Sequence, residues 1–532
     1  AIALTASFIV SMILTPILCY AFIKKGLHNP DHQETRKRKS VLDHMQDAYD
    51  RSLGWAMKHP KLTLISSVLS IFLAIGLYST IKQKFFPAAE RNQFVVELWM
   101  PTGTQLDETE EAVIKLQNLI QSDERVTNYT SYIGSSAPRF YYNFAPEFPV
   151  SNYGQILINT TTDATAEELS MELNEQMSTL LPQARVQAKL MQQGSPTKSP
   201  VEIRIVGTEL NTLRKIGDEV KTILQKAPGS RLVHTDFGEN MFGVAIQLNN
   251  EASRLGFTTG SIAQTIYTGF SGAPVTTMYE GSDPVDIVLR LEDEERETFT
   301  DLQDTYLPSP ATGAPVPLRQ VADLEPQWHI GRIMHRNGLR TLTVGSETTA
   351  EVLPAQLLKS IRPELNQIDL PHGYHLEIGG EHENKKETFS QMVVALAISL
   401  LLIFLILLLQ FKNLKESSIV MFSIPLSLFG ALAGLHLTGN NFGFTAFVGL
   451  ISLSGIVVRN AIILVDYTNE LMAKGTDMKT AAIEAGKRRL RPIFLTASAA
   501  AIGVIPMIVS GSPMWSPLAS VIAVGVLFSM FM

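Results

Sequence analysis

Apolar residues fall in long blocks at the two ends of the chain. The middle, 82–388, instead mixes apolar and polar residues at strand and helix periods. A hydrocarbon core of about 30 Å needs about 20 apolar residues in a helix. By that rule the end blocks predict six complete spans, at 2–23, 62–81, 392–411, 418–437, 444–471 and 493–509, and a partial one from 518. Block 393–409 is almost wholly aliphatic. Block 444–471 is long, and the charges near its end place its exit from the hydrocarbon around Asp466.

The links between spans alternate in charge. The first, 25–61 with its flank, holds Lys24, Lys25, Arg36, Lys37, Arg38, Lys39, Arg51, Lys58 and Lys61. Lys412 and Lys415 mark the link between spans three and four. Lys474, Lys479, Lys487, Arg488, Arg489 and Arg491 mark the link between five and six. Basic links stay in the cytoplasm, so 82–388 is expected on the far side, the periplasm of a Gram-negative cell. Segments 41–57 and 478–489 carry apolar residues at helical spacing between charges. Both are expected either to lie along the membrane surface or to serve as solvated connecting helices.

Within 82–388 the periods alternate between strand and helix. Strands are predicted at 94–99, 155–159, 201–206, 244–248 and 286–291, and helices at 106–120, 166–180 and 210–224; 341–347 and 352–361 repeat the order. Such pairs build split βαβ sandwiches, expected here as three: 90–162, 200–300, and 163–199 with 301–378. The fold class is therefore an α-helical transmembrane bundle with an α+β periplasmic domain. Loop 135–150 packs five aromatic residues between turn formers, which suits either the cap of a sandwich edge or an adaptable apolar ligand surface. Segment 278–284 reads as a polar hairpin tip.

Composition adds little, because a formal net charge of -7 averages over two solvents. The single cysteine, Cys19, allows no disulfide within the chain. Basic residues do not gather on aromatic-rich stretches, so nucleic acid is not an expected partner. No phosphate loop of the G-x-x-x-x-G-K-[ST] type occurs, nor G-x-S-x-G, H-E-x-x-H or C-x-x-C. Neither nucleotide-driven work nor hydrolase chemistry is supported, and no cofactor is expected. If solute moves, an ion gradient is the expected driver. The chain opens on alanine and closes inside an apolar block, so both ends are read as cuts in a longer protein.

The sharpest feature is GIVVRNAIILVD, 455–466, which sets Arg459 about ten residues inside a span. A charge there costs about 2.5–3.5 kcal/mol on insertion scales. Arg459 should therefore face protein and pair with a carboxylate. No other predicted span holds an acidic residue, and Asp466 lies two helical turns away near the interface. The partner is expected outside this chain. Asn460 beside it, with Thr496 and Ser498 in span six, could extend the polar track.

These residues resemble a known family. GLISLSGIVVRNAIILVDYTNE, followed by EAGKRRLRPIFLTASAAAIGVIPMIV, is similar to the signature stretch of RND (resistance–nodulation–division) efflux pumps. KFFPAAERNQFVVELWMPTGTQLDETE resembles the start of their second periplasmic loop, and TPILCY resembles their sixth span of twelve. The likeness runs the length of the chain and is best to the hydrophobe/amphiphile branch. It implies a homotrimeric inner-membrane pump working with a periplasmic adaptor and an outer-membrane channel. Such pumps exchange protons for hydrophobic or amphiphilic compounds. It implies that Arg459 switches its pairing with aspartates of an N-terminal half, with Arg489 and Thr496 in support and Asp466 nearby. Many relatives carry lysine where Arg459 stands; arginine keeps a permanent charge on a planar fork. The drug-pocket loop falls on Phe140, Tyr141, Tyr142 and Phe144. The channel-docking hairpin falls on Thr277, Met278, Tyr279, Glu280 and Gly281, within a docking region of about 200–300. Two alternatives stay open: metal-ion efflux within the same superfamily, and a secretion-accessory membrane protein. The chain by itself in liposomes is expected to show no proton-coupled transport; recovery of such transport would overturn the placement of the carboxylates elsewhere.

Overall fold

Where the chain is continuously apolar it is helical, because only a helix satisfies every backbone polar group within one segment. The computed structural model describes residues 2–22, 41–349 and 351–531. The basic stretch 24–39 lies outside the described residues. Helix α1 (Ile2–Phe22) leaves all its described side chains exposed. Helix α2 (Val41–Lys58) follows, and α3 (Pro60–Thr80) starts on a proline at its first position.

The sheet-rich region begins with β1 (Gln93–Trp99), α4 (Leu106–Gln121), β2 (Val126–Ile133), β3 (Tyr153–Thr160), α5 (Asp163–Leu180) and β4 (Arg185–Leu190). They form one antiparallel sheet in the order β2–β3–β1–β4. This is a complete split βαβ unit. Period-two alternation sends Phe94, Val96 and Leu98 of β1 into a core with Val113 and Leu116 of α4 and Leu173 of α5.

A second unit opens with β5 (Val201–Val206), α6 (Leu210–Lys226) and β6 (Ser230–Thr235). It is then interrupted. The interruption runs through β7 (Asn240–Leu248), α7 (Asn250–Arg254), α8 (Thr259–Ile266), the hairpin β8 (Ala273–Glu280) and β9 (Asp283–Leu289), α9 (Phe299–Asp304), β10 (Tyr306–Pro308), β11 (Pro315–Pro317), α10 (Leu318–Val321) and β12 (Ala322–Ile330). β7 pairs with β12 and closes the inserted unit at its root. The second unit then resumes with β13 (His335–Arg336), β14 (Leu339–Thr348), α11 (Pro354–Leu365) and β15 (His375–Gly380). β5 pairs with β14 and β15, and β6 pairs with β14. All six residues of β5 are buried.

The expected sandwich type is found, but the partition differs. Residues 163–190 complete the first unit rather than a third. Segment 200–300 splits between the second unit and the insertion. A βαβ rhythm reveals strands without naming their partners. Closing a long loop adds only about 0.6 kcal/mol per doubling of length, so burial of β5 decides the pairing, not sequence distance.

β15 leads directly into α12 (Glu381–Phe411), followed by α13 (Leu414–Thr438), α14 (Phe444–Ala473), α15 (Met478–Val509) and α16 (Ser516–Ser529). Among the described residues, α3, α12, α13, α14 and α15 are long and apolar enough to cross a membrane. The apolar stretches Phe8–Phe22 and Ser516–Ser529 are shorter. α16 packs against α13, α14 and α15. A Cβ at Gly434 would meet the Ser520 carbonyl, so the missing side chain is what lets α13 and α16 close. Asn440 Nδ2 ties this contact at 2.8 Å to Ser516 and 2.9 Å to Ser520.

One expectation for the basic end is corrected. Segment 478–489 is not a separate surface helix; it is the first part of α15, which continues through Pro492. Segment 41–57 packs against that same part of α15. Gln46 donates to the Lys487 carbonyl at 3.1 Å, Lys487 pairs with Asp50 at 3.5 Å, and Arg491 pairs with Asp43. Polar contacts thus tie the two segments, while Ala481 and Ala485 of α15 are buried against Leu471 of α14.

The helices and the sheet region meet in an aromatic cluster, with Phe389 5.9 Å from Phe85 and 5.7 Å from Phe447. Beside it the buried Arg204 of β5 pairs with Glu202 at 2.7 Å and with Glu383 of α12 at 2.6 Å. The turn into α12 needs Gly380, with φ 68° and ψ -142°, which only glycine adopts readily. A Cβ there would also stand 2.6 Å from the Pro200 carbonyl oxygen. Gly380→Ala is expected to lower stability by about 1–3 kcal/mol, read as a lower melting temperature of the purified protein; unchanged melting would show that the turn relaxes freely.

Candidate proton-coupling and substrate sites

Helix α14 buries one face and exposes another. Leu453 and Val457 pack toward Val521 and Val526 of α16, and Val458 packs with Leu407 and Val420 of α12 and α13. Ser452, Gly455, Arg459 and Asp466 share the exposed face. Among the described residues no carboxylate lies within ion-pair distance of Arg459. Asp466 is two turns along the same helix, about 10 Å at 1.5 Å per residue. Asn460 presents a buried Oδ1 with no hydrogen-bond partner. Thr496 of α15 is exposed, and its hydroxyl donates to the Ile493 carbonyl at 3.0 Å. Arg489 sits apart from Arg459, its guanidinium 4.5 Å from the ring centre of Tyr467, with Nε buried and unpartnered. Arg488 donates to the Tyr467 hydroxyl at 3.1 Å. The five polar residues therefore divide: Arg459 and Asn460 lie mid-helix, while Asp466 and Arg489 gather near Tyr467.

A cleft of about 1130 Å³ opens between the first and second units. Its floor is the face of β1 and β4 opposite the core: Val95, Glu97 and Trp99 on β1, and Arg185 and Lys189 on β4. Lys189 pairs with Glu97 at 3.0 Å and reaches Glu347 of the second unit at 3.8 Å. Burial opposes the lysine's charge, yet the two glutamates outweigh it and hold its pKa above the ordinary value. Burial, aided by the charge of Arg185, pushes His234 down to about 3.

Of the aromatic residues expected to hold substrate, only Phe144 lines this cleft. It is buried with Val95, Ala137 and Met191, and its ring lies 5.0 Å from that of Phe140. Tyr141 lies beneath Arg91 at 4.8 Å, and Tyr142 is 83% exposed and lies outside the cleft. Tyr141 packs on the same small core as Phe144, so most of the loop's aromatic residues gather there while Tyr142 and Phe148 stay exposed. Thr277, Met278, Tyr279 and Glu280 sit at the end of β8, with Gly281 in the turn at φ 66°. Both strands are exposed almost throughout, and Thr277 donates to Asp286 at 2.7 Å across them. The hairpin projects as an arm.

A family description, AcrB/AcrD/AcrF, matches residues 1–532. The chain belongs to this family of RND efflux pumps. Its relatives include the swarming motility protein SwrC of Bacillus subtilis (strain 168), 24% identical over 516 residues, which are 95% of this chain and 47% of that protein. The cation efflux system protein CzcA of Alcaligenes sp. (strain CT14) is 24% identical over 550 residues, 99% of this chain and 50% of the relative. The multidrug resistance protein MdtC of Cronobacter sakazakii is 22% identical over 536 residues, 99% and 51%. A crystal structure of a heavy metal efflux pump superposes with a TM-score of 0.74 at 22% identity, covering 92% of this chain and 50% of that one. The chain thus spans about half the length of the relatives it matches.

Within this family member, sequence reading passed over Tyr467, Trp99, Arg185 and Lys189. The alternation in RVQAKL, 185–190, was the available signal: Val186 and Ala188 face the core, so Arg185, Gln187 and Lys189 face the cleft. The depressed His234 sets a pH dependence. Its folded pKa lies below the unfolded value of 6.5, so the unfolded chain binds more protons between the two. Stability from this group is whole above about 6.5 and is lost as pH falls toward 3. The melting temperature of His234→Asn is expected to fall less steeply over that window than that of the native protein; parallel slopes would remove His234 as the cause.

Proposed function

We propose that the chain is the C-terminal half of a proton-driven inner-membrane pump that exports hydrophobic or amphiphilic compounds. The observation that carries this is Arg459, a charge on a membrane-type helix with its face turned away from its packing neighbours and no carboxylate within reach among the described residues. A charge at that depth demands a protein partner. Aspartates of an N-terminal half, taking up and releasing protons, would make Arg459 alternate between paired and free. Asn460 and Thr496 would extend the polar track, with Arg489 and Asp466 toward the cytoplasm. The energy source is the proton gradient, with no bound cofactor and no covalent catalysis.

On this reading the apolar helices give six complete spans and a partial seventh. The basic links are cytoplasmic and the sheet region is periplasmic. The cleft receives substrate: its volume suits a drug-sized molecule, and Trp99, Phe144 and Phe148 supply apolar surface beside a few placed charges. The projecting hairpin, 277–281, would meet the outer-membrane channel in a homotrimer bound by a periplasmic adaptor. Metal-ion efflux is the second reading. It is favoured by the likeness to CzcA and by the soft thioethers of Met100, Met191 and Met241 along the cleft.

The test restores the N-terminal half and expresses the pump with adaptor and channel in cells lacking their own pumps. Dye export stopped by a protonophore, and lost in Arg459→Ala at equal expression, is the expected result. Protection against copper, silver or zinc without dye export would favour the metal reading. Full export by Arg459→Ala would remove the arginine from energy coupling.

A further inference from the structure

The cleft holds charges of both signs, but they are not equally committed. Glu97 is taken by Lys189 at 3.0 Å, and Glu147 by Lys198 at 3.1 Å. Glu239 accepts from the Thr102 amide at 3.1 Å and from its hydroxyl at 3.0 Å. Asp236 accepts from the Thr343 amide at 2.8 Å, and its burial raises its pKa toward the neutral form. The remaining carboxylate, Asp218, is exposed on α6 one turn from Lys221 and Arg214. The cations differ. Among the described residues, Arg185, Lys221 and Arg332 have no carboxylate within ion-pair distance, and Arg214 is held only by the neutral amide of Asn240.

Arg185 is the best placed of these. It stands on the floor strand directly opposite Trp99 in the β1–β4 register, and its guanidinium lies 5.3 Å from the Trp99 ring centre. Stacking on an aromatic face fixes the plane of the guanidinium while leaving its edge N–H groups free to donate. Burial pushes its pKa below the ordinary arginine value, against the pull of Glu97, Glu347, Glu147 and Glu239. Arginine stays protonated regardless, so the guanidinium is a part-desolvated positive charge whose side-chain hydrogen bonds are not made among the described residues. Such donors bind a planar or tetrahedral oxyanion with two bonds at once. Phe144 and Phe148 lie along the same cleft and offer surface to an apolar body.

We infer that the cleft selects organic anions, amphiphiles with a carboxylate, sulfonate or sulfate head, and that Arg185 on Trp99 is the group that recognises the head. Lys221 from the second unit adds a second cation to the same cleft. The inference rests on the export reading, since it names the substrate class of that cleft. It gives the committed pairs a role as well: Glu97 and Glu147 are occupied by lysines, which lowers the negative charge offered to a cation.

The test uses the complete pump, N-terminal half included, in lipid nanodiscs. The probes are anilinonaphthalene sulfonate and phenylnaphthylamine, which share an aromatic skeleton and differ in the anionic head. The native pump is expected to bind the sulfonate more tightly. The sulfonate-to-amine affinity ratio should fall about tenfold in Arg185→Gln, as loss of a charge-assisted hydrogen bond implies. Arg185→Lys should restore part of it, and Lys221→Gln should lower it by a smaller factor. An unchanged ratio in Arg185→Gln, or native preference for the neutral dye, overturns the inference. If the neutral dye is bound and exported while the sulfonate is not, the anion assignment fails and the export reading stands. If neither dye is bound or exported, the export reading fails and the anion assignment with it.

Discussion

A guanidinium on an apolar helix is the constraint around which the helical layer is organised. Lipid offers Arg459 no solvation, and insertion scales alone put the penalty near 3 kcal/mol. The helix answers by division of faces. Leu453, Val457 and Val458 bury themselves against α12, α13 and α16, while Ser452, Gly455, Arg459 and Asp466 keep to the other side. Small residues let the packed side close tightly, as at Gly434 against the Ser520 carbonyl. α14 thus carries a tight apolar seam on one face and a polar stripe on the other. That arrangement fits a chain spanning half the length of its relatives.

The sheet region follows a different logic, that of insertion. The second unit is complete only when β14 and β15 return to β5, after the whole of β7–β12 has been made. The detour has consequences for the site. It brings Glu347 at the end of β14 across the cleft to Lys189 of the first unit, so one lysine bridges two carboxylates from separate units. It also places Arg204 of β5 against Glu383 at the start of α12. Breaking a buried ion pair is costly because it strands the surviving charge. The Arg204–Glu383 pair therefore ties the central strand of the second unit to a membrane-type helix. The aromatic cluster around Phe85, Phe389 and Phe447 adds bulk to the same joint.

The sequence by itself determined what depends on composition and period. Apolar block length marked the helices α3, α12, α13, α14 and α15, because hydrocarbon admits no other single-segment structure. The lone arginine in GIVVRNAIILVD marked the polar stripe, since charge at that depth is rare without a use. Alternating strand and helix periods marked the split βαβ type, and turn chemistry marked the hairpin at 278–284. Tertiary structure alone decided what depends on contacts between distant residues. Strand partners were one such matter, because β5 buries the same face whichever strand it pairs with locally. The fate of amphipathic segments was another: 41–57 and 478–489 each read as membrane-surface helices, yet 478–489 is the start of α15, buries Ala481 and Ala485 against α14, and is tied to 41–57 by polar contacts. The cleft was a third. Its floor comes from the second face of a sheet whose first face supplied all the legible periodicity, and its loose cations are identified only once each carboxylate's partner is seen. A residue's period is written locally, whereas its partner is chosen by folding.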